Sequence, residues 1–427
     1  HIHADYLSGA RELAEATGAR LLLSAEGGSD WKYAFAESDG ATLLHDGDRI
    51  TIGNVWIDVV HTPGHTPEHL SFVVTDTPAS RHAVGAFTGD FLFVGDVGRP
   101  DLLERAANIQ GTMRAAAAQL FDSLQRFASR YPDHLQLWPG HGAGSACGKS
   151  LGAVPQSTLG YEKLANWALQ LTDREAFVTE VLAGQPEPPT YFAAMKRLNR
   201  AGPAILGKRG PLAALPISAV ADALASGARV VDVRHATAFA AGFMPGTISV
   251  PLNRSFLSYI GWIIDPDQEV LLVSGDADGS SARAAAAELA MIGIDRVRGW
   301  VGPDAIADVR IHRGLDTFAS VRPAELPAAP ATDGMQLIDV RTRAEWDAGH
   351  IPGSVHIPLG QLEQRLGELD SSRAVAVACQ SGSRSSIGAS LLKAHGFRDV
   401  TNVRGGFAAW VDAGLPATSD GDVVAHG

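Results

Sequence analysis

The stretch LIDVRTRAEWDAGHIPGSVHIPL, residues 337–359, decides how the C-terminal half of this 427-residue chain folds. An apolar run ends in Asp-Val-Arg, a short polar segment follows, and Pro352-Gly353 turns the chain into a second short apolar run. Pro and Gly punctuate turns, and short apolar, β-branched runs on either side read as strands. The same pattern occurs upstream as VVDVRHATAFAAGFMPGTISVPL, residues 230–252. Each copy is followed by another apolar strand (EVLLVSG at 269–275, AVAVACQ at 374–380), a loop of small residues and a helix. Strand–helix alternation at this spacing predicts parallel sheets with helices on both faces. Two α/β domains of one kind are therefore expected, at 212–318 and 320–420.

Residues 1–205 read differently and are expected to form a separate domain. Its candidate strands are RLLLS (20–24), RITIGNVWIDVVH (49–61), HLSFVVT (69–75), AVGAFTGDFLF (83–93) and LQLWPGH (135–141). The stretch 183–212, rich in Pro and Gly, is expected to close this domain and lead into the repeat. Four short stretches concentrate metal-ligand residue types: HIHADY (1–6), HTPGHTPEH (61–69), FTGD (87–90) and WPGH (138–141). In the last three, a His or Asp follows a Gly just beyond an apolar strand. Side chains at the C-terminal edges of neighbouring strands can converge on one point, and imidazole with carboxylate suits Zn, Fe or Mn. His45, His82, His134, His235 and His312 lie outside these stretches and are read as solvated or hydrogen-bonded.

Composition narrows the function. Hydrophobic residues make up 45% and charged residues 19% of the chain, with a net charge of −12, ordinary for a globular protein with sizeable cores. An acidic balance argues against a nucleic-acid partner, since phosphate binding needs a basic face. No apolar run is long enough for a membrane span. Two cysteines exclude a disulfide framework and fit a reducing compartment, so a cytoplasmic location is expected.

The four metal-type stretches, in this order, resemble the metallo-β-lactamase superfamily, whose His-x-His-x-Asp-His motif is followed by His, Asp and His. The resemblance covers roughly the first 200 residues and implies an αβ/βα sandwich with the metal at one edge of the sheets. It also implies that the opening strands, which precede this motif in the family, are missing from the sequence. Tyr6 stands where the motif's final His helps hold a second metal. A neutral phenol is a poor substitute for imidazole, so one metal is expected rather than two. Two His and one Asp form the facial triad of non-haem Fe(II) oxygenases.

The one-iron members of the superfamily are the persulfide dioxygenases, and FTGDFLFVGDVGRPDL (87–102) resembles their Thr-Gly-Asp…Gly-Arg-x-Asp segment. Many of them keep the final His, so Tyr6 departs from this subgroup as well. The resemblance implies one Fe(II) per chain on His1, His65 and Asp90, with His3, Asp5, Tyr6 and His141 around the ligands. Arg99 and Asp101 match the substrate-side segment; a buried ion pair bracing the loop is an equal reading of Arg99. Cys147 and Lys149 follow His141 in a Gly- and Ser-rich loop. Lys149 is expected to lower the Cys147 pKa or to bind a carboxylate.

Cys379 ends a strand and is followed by a loop and a helix. Backbone N–H groups and the positive helix end would stabilise a thiolate or persulfide there, and Arg384 would bind an oxyanion such as sulfite. With DVRTRAEWDAGHIPG upstream and NVRGGFAAW downstream, residues 320–418 resemble a rhodanese, a sulfurtransferase. Four residues separate Cys379 from Arg384; the look-alike phosphatases of this fold have five. In the first repeat Asp276 aligns with Cys379 and Ser281 with Arg384, so that copy is expected to be inert.

These resemblances imply a persulfide dioxygenase fused to two rhodanese-like domains. It would oxidise a low-molecular-weight thiol persulfide such as glutathione persulfide with O₂ to sulfite, and join sulfane sulfur to sulfite as thiosulfate. Cys379, Arg384 and Cys147 are the expected catalytic residues, and a homo-oligomer is expected. The competing readings are a glyoxalase II-type thioester hydrolase with two zincs and a non-catalytic sulfur carrier.

Overall fold

The computed structural model describes residues 1–102, 111–143, 145–149, 151–185, 187–326 and 334–419. Residue 420, the expected end of the last domain, and Pro186 in the expected linker lie outside the described residues. The chain divides into two compact units: His1–Pro188 with Phe192–Arg209, and Pro189–Tyr191 with Gly210–Gly427.

The first unit is built on a six-stranded sheet. In spatial order it runs β3 (Arg49–Ile52), β4 (Val55–His61), β5 (Leu70–Asp76), β6 (Gly85–Gly89), β7 (Gln136–Pro139) and β8 (Ser157–Thr158). All neighbours are antiparallel except β6 and β7. A separate parallel pair joins β1 (Leu22–Ser24) to β2 (Thr42–Leu44). The run 49–61 is two strands, not the one that its apolar content suggests: Gly53, at φ +58°, lets a two-residue Gly-Asn turn fold it into the β3–β4 hairpin. Helix α2 (Met113–Arg130), which follows α1 (Ala10–Thr17), buries Ala117, Leu120, Leu124 and Phe127 against the sheet core of Val60, Val73, Ala86 and Leu137. Helices α3 (Leu159–Ala165), α4 (Trp167–Gln170) and α5 (Arg174–Leu182) complete that core, and α6 (Tyr191–Ala201) follows.

The second unit holds two parallel sheets. After α7 (Ser218–Ala225), the first has the order β10 (Ile248–Ser249), β9 (Arg229–Asp232), β11 (Val270–Val273), β12 (Val297–Val301), with helices α8 (Ala236–Ala240), α9 (Phe256–Ile263), α10 (Ser280–Met291) and α11 (Pro303–His312). The second has the order β13 (Ala319–Val321), β17 (Val400–Val403), β16 (Val375–Ala378), β14 (Gln336–Asp339), β15 (Val355–His356), with α12 (Arg343–Asp347), α13 (Ser383–Ala394) and α14 (Gly406–Asp412). Central strands β11 and β16 are buried throughout, as strands covered on both faces must be. The recurrent Asp-Val-Arg has one cause in both sheets. Arg234 folds back on Asp232 at 2.7 Å and donates to the Gly242 carbonyl at 3.0 Å. Arg341 does the same with Asp339 at 2.7 Å and the Gly349 carbonyl at 2.6 Å. Each pair ties the strand end to the turn that follows. Among the described residues no helix is long and apolar enough to cross a membrane.

Candidate metal centre and sulfur cradle

Ile2 and Ala4 are buried, and His1, His3 and Asp5 alternate with them. The Ile2 N–H donates to Glu68 Oε1 at 2.7 Å. Asn199 on α6 donates to the carbonyls of His3 (3.0 Å) and Tyr6 (2.7 Å) and accepts from the Ser8 N–H (2.8 Å). The other stretches arrive from strand ends: His65 after β4, Asp90 after β6 and His141 after β7. The glycine before each of these three is needed for close approach. A Cβ on Gly64 would sit 2.4 Å from Leu120 Cβ, and one on Gly140 would sit 2.7 Å from Asp90 Oδ1.

Asp90 is the centre of the cluster and is 1% exposed. Its Oδ2 lies 3.6 Å from both His1 Nε2 and His65 Nε2, and 3.1 Å from His141 Nε2. His65 Nδ1 donates to the Arg99 carbonyl at 3.0 Å, leaving Nε2 as the lone-pair nitrogen that faces Asp90. The Asp90 N–H donates to His69 Nε2 at 3.1 Å, so the wholly buried His69 buttresses Asp90 from behind. Burial pushes His65 down to about 3, which keeps its imidazole neutral, as a ligand must be. Burial disfavours the Asp90 charge, but His1, His141 and His65 outweigh it and hold the carboxyl well below its usual range. His1 Nε2, His3 Nδ1, Asp5 Oδ1, both Asp90 oxygens and His141 Nε2 are buried without a hydrogen-bond partner among the described residues. Buried polar atoms in such density are costly unless something binds them. A cation among them removes that cost, so the residues fit a metal ion.

The remaining expected residues fall around this centre in different ways. The Tyr6 hydroxyl and His3 Nε2 are hydrogen-bonded at 2.9 Å. Arg99 and Asp101 form a buried bidentate pair (2.8 and 2.7 Å), and Arg99 also donates to the Ala146 carbonyl at 3.1 Å. They brace the loop that carries Cys147. The expectation that Lys149 lowers the Cys147 pKa is corrected. Its ammonium binds Glu180 Oε1 at 2.8 Å and lies over the Trp167 ring, so it is engaged away from Cys147. Burial, with Asp90 and Asp5, pushes the Cys147 thiol up rather than down.

In the second unit, Cys379 ends β16 and is 1% exposed. Its Sγ accepts from the Gly382 N–H at 3.1 Å and from the Ser385 hydroxyl at 3.4 Å. Gly382, at φ +95°, begins α13, so the helix N-terminus meets the sulfur. Arg384 is not an open oxyanion arm. Its fork grips Glu345 at 2.7 and 2.6 Å. Burial alone would raise the Glu345 pKa, but Arg384 and Thr342 pull it down to about 2.

Residues 1–136 match the metallo-beta-lactamase superfamily model and residues 322–413 the rhodanese-like domain model. A metallo-beta-lactamase from Staphylococcus aureus, solved as a crystal structure, is 38% identical, with a TM-score of 0.61; the match covers 71% of this chain and 83% of that one. The chain belongs to the metallo-β-lactamase superfamily. Its C-terminal part is similar to a sulfurtransferase of Allochromatium vinosum, 38% identical over 85 residues, 20% of this chain and 79% of the relative. It is also similar to the thiosulfate sulfurtransferase GlpE of Pseudomonas syringae, 35% identical over 88 residues, 21% of this chain and 83% of the relative. The chain spans 42% and 60% of the length of two Bacillus subtilis relatives that match at 41% and 43% identity.

Superfamily membership implies a metal ion, and a rhodanese-like domain at the C-terminus adds an architecture of sulfur-transfer character. Around the superfamily motif, Glu68, His69 and Asn199 are positioning residues that sequence reasoning missed. His69 closes the HTPGHTPEH stretch, 61–69. Asn199 carried no signal, because its partners lie near the opposite end of the domain sequence.

Proposed function

We propose that the chain is a persulfide dioxygenase with a sulfurtransferase arm, in three domains spanning 1–205, 212–318 and 320–420. The observation that carries this reading is the convergence of His1, His65 and the unpartnered carboxylate of Asp90 in a chain that also cradles Cys379. These two imidazoles and one carboxylate would hold one Fe(II), which when bound would supply the O₂ chemistry that side chains lack. Asn199 and Glu68 fix the backbone of the His1–Tyr6 segment, and His69 and the Arg99 carbonyl orient Asp90 and His65, as groups behind metal ligands do. The products of persulfide oxidation would be sulfite and the free thiol.

Cys379 then transfers sulfur. A second molecule of thiol persulfide loads Cys379: its thiolate attacks the outer sulfur, the sulfur–sulfur bond of the donor breaks and the free thiol leaves. The resulting Cys379 persulfide then gives that sulfur to sulfite: the sulfur–sulfur bond to Cys379 breaks, a new one to sulfite forms, and thiosulfate leaves a Cys379 thiolate. The Gly382 N–H and the α13 terminus stabilise that thiolate. Housing both sites in one chain raises the effective concentration of the shared intermediate. Cys147 is proposed as a relay thiol between the two sites.

The test is oxygen uptake by the Fe(II)-loaded full chain given glutathione persulfide, with sulfite and thiosulfate assayed together. Uptake yielding both, with Cys379→Ser losing thiosulfate and keeping sulfite, supports the reading. Absence of uptake with iron bound overturns the dioxygenase part. An unchanged thiosulfate yield in Cys147→Ser removes the relay.

A further inference from the structure

The Ser385 hydroxyl holds one proton and faces two acceptors. Cys379 Sγ lies 3.4 Å from its Oγ, and Asn402 Oδ1, on β17, lies 2.7 Å from it. The two bonds draw on the same proton, so they alternate. With the proton on the shorter bond to Asn402, Ser385 Oγ meets the sulfur as an acceptor, which suits a thiol S–H. With the proton turned to the sulfur, Ser385 meets it as a donor, which suits a thiolate. Asn402 donates in turn through Nδ2 to Ser320 Oγ on β13 at 3.2 Å. Cys379, Ser385 and Asn402 are buried and Ser320 is exposed. The three side chains form one file from the sulfur to a cavity of about 230 Å³ that Asn402 and Ser320 line.

Every member of this file works in both directions. A hydroxyl donates or accepts, and a side-chain amide turned over exchanges its oxygen for its NH₂. Turned over, Asn402 donates to Ser385 and accepts from Ser320, and Ser385 is free to give its proton to the sulfur. No proton passes between residues; the thiol proton goes to solvent. The first repeat supplies an independent comparison. The register that pairs Asp276 with Cys379 and Ser281 with Arg384 also pairs Ala282 with Ser385 and Gly299 with Asn402. Where a carboxylate replaces the sulfur, both members of the file are gone. A group that is always an anion needs fixed donors, and Asp276 has them; a group that alternates between thiol and thiolate needs donors that reverse.

We infer that Asn402 is a positioning residue for sulfur transfer: through Ser385 it withholds a proton from the Cys379 thiol and releases it to the thiolate. The inference rests on Cys379 as the sulfur carrier. It does not involve the metal centre. The other charged and titratable groups around Cys379 are in place in both states. They are the Arg384–Glu345 pair of α13 and α12 and the Arg341–Asp339 pair after β14, where Arg341 also donates to Gln380 at 3.2 Å. His356 on β15 is bonded to the Arg341 carbonyl. Arg404 after β17, and Tyr259 and His235 of the first repeat, line the cavity at the end of the file.

The test is the rate of Cys379 alkylation by iodoacetamide across pH, read by mass spectrometry on the peptide that carries Cys379, in the full chain. Asn402→Asp puts a carboxylate, which only accepts, against Ser385 and keeps its proton from the sulfur. Alkylation at neutral pH should slow by about tenfold, as loss of a hydrogen bond to a charged group does, and the profile should move to higher pH. Ser385→Ala, a smaller change to the fold, should do the same. Asn402→Ala leaves the Ser385 proton no competing acceptor and should not slow the reaction. In Ser385→Ala, adding Asn402→Asp should bring little further slowing, because the proton it withholds is already gone. A profile unmoved by Ser385→Ala overturns the inference. So does equal slowing by Asn402→Ala and Asn402→Asp, the mark of a merely structural role, or full slowing by Asn402→Asp without Ser385, the mark of charge alone. Profiles that move as stated in a chain that forms no thiosulfate from persulfide and sulfite would sink the sulfurtransferase reading alone.

Discussion

The two repeats of the second unit build the same cradle and put different groups in it. In the second repeat Cys379 Sγ takes the Gly382 N–H and the Ser385 hydroxyl. In the first, the Asp276 carboxylate takes the Ser281 N–H at 2.7 Å and the Ser280 and Ser274 hydroxyls at 3.1 and 3.3 Å. The Ser281 side chain and then its backbone N–H lead the causes that lower the Asp276 pKa. Gly279 and Gly382 both open their helices in the left-handed region, at φ +70° and +95°. The anion-holding loop is therefore a property of the strand–loop–helix frame, and sulfur chemistry is a property of the one atom placed in it. The supporting ion pair changes as a unit: Arg384 and Glu345 in one copy are Ser281 and Ala238 in the other.

The comparison can be broken most directly at its centre. Cys379→Ser should abolish thiosulfate formation from persulfide and sulfite, by about 10³-fold or more, as loss of a nucleophile does. Transfer that survives this change would mean another residue carries the sulfur. Asp276→Cys asks whether the first cradle suffices. Persulfide on that Cys, measured by mass spectrometry, should form at about a hundredth of the Cys379 rate, since loop donors alone lack the Arg–Glu support. The triple variant adding Ser281→Arg and Ala238→Glu should recover much of the difference. Equal loading in the single variant would make the ion pair irrelevant.

Smaller effects sharpen the same point. Gly382→Ala forces a Cβ into the left-handed region and within 2.9 Å of the Gly405 nitrogen. It should cost about 1–3 kcal/mol in denaturant unfolding and slow transfer. Gly279→Ala, against the Trp300 ring at 2.4 Å, should cost a similar amount and leave transfer unaltered. The smallest effect is a pH dependence. Glu345 has its pKa lowered from 4.5 to about 2 in the fold. A depressed carboxyl stabilises the folded state above its unfolded pKa, and that contribution fades as pH falls through the folded one. The stability gap between the parent chain and Glu345→Gln should be constant above about pH 4.5 and shrink between there and pH 2. A gap that does not change across this window would mean the pair is not formed.

Much of the molecule was legible because its signals are local. The Asp-Val-Arg repeat marks two parallel sheets through a pair two residues apart, Asp339 with Arg341. The glycines before His65, Asp90 and His141 announce close packing at strand ends. What escaped involves partners far apart in the chain. Asn199 clamps His3, Lys149 turns to Glu180, and Arg384 closes on Glu345. The β3–β4 hairpin escaped for another reason: an apolar run hides a two-residue turn when the turn residues are few.

The sequence by itself determined the chemistry on offer: which groups can bind a metal, which single thiol sits in an anion-holding loop, and that one of two like repeats lacks it. Residue type and short-range spacing suffice for that, because ligand and nucleophile character belong to side chains and cradle geometry to a few consecutive peptides. Only the tertiary structure decided which of those groups meet. It centred Asp90 among three imidazoles, set Cys147 beside Asp5 and His141, and took Lys149 and Arg384 out of the open by pairing them with carboxylates. Electrostatic pairing and ligation act over a few ångströms, and those distances exist only once segments distant in sequence are packed against one another.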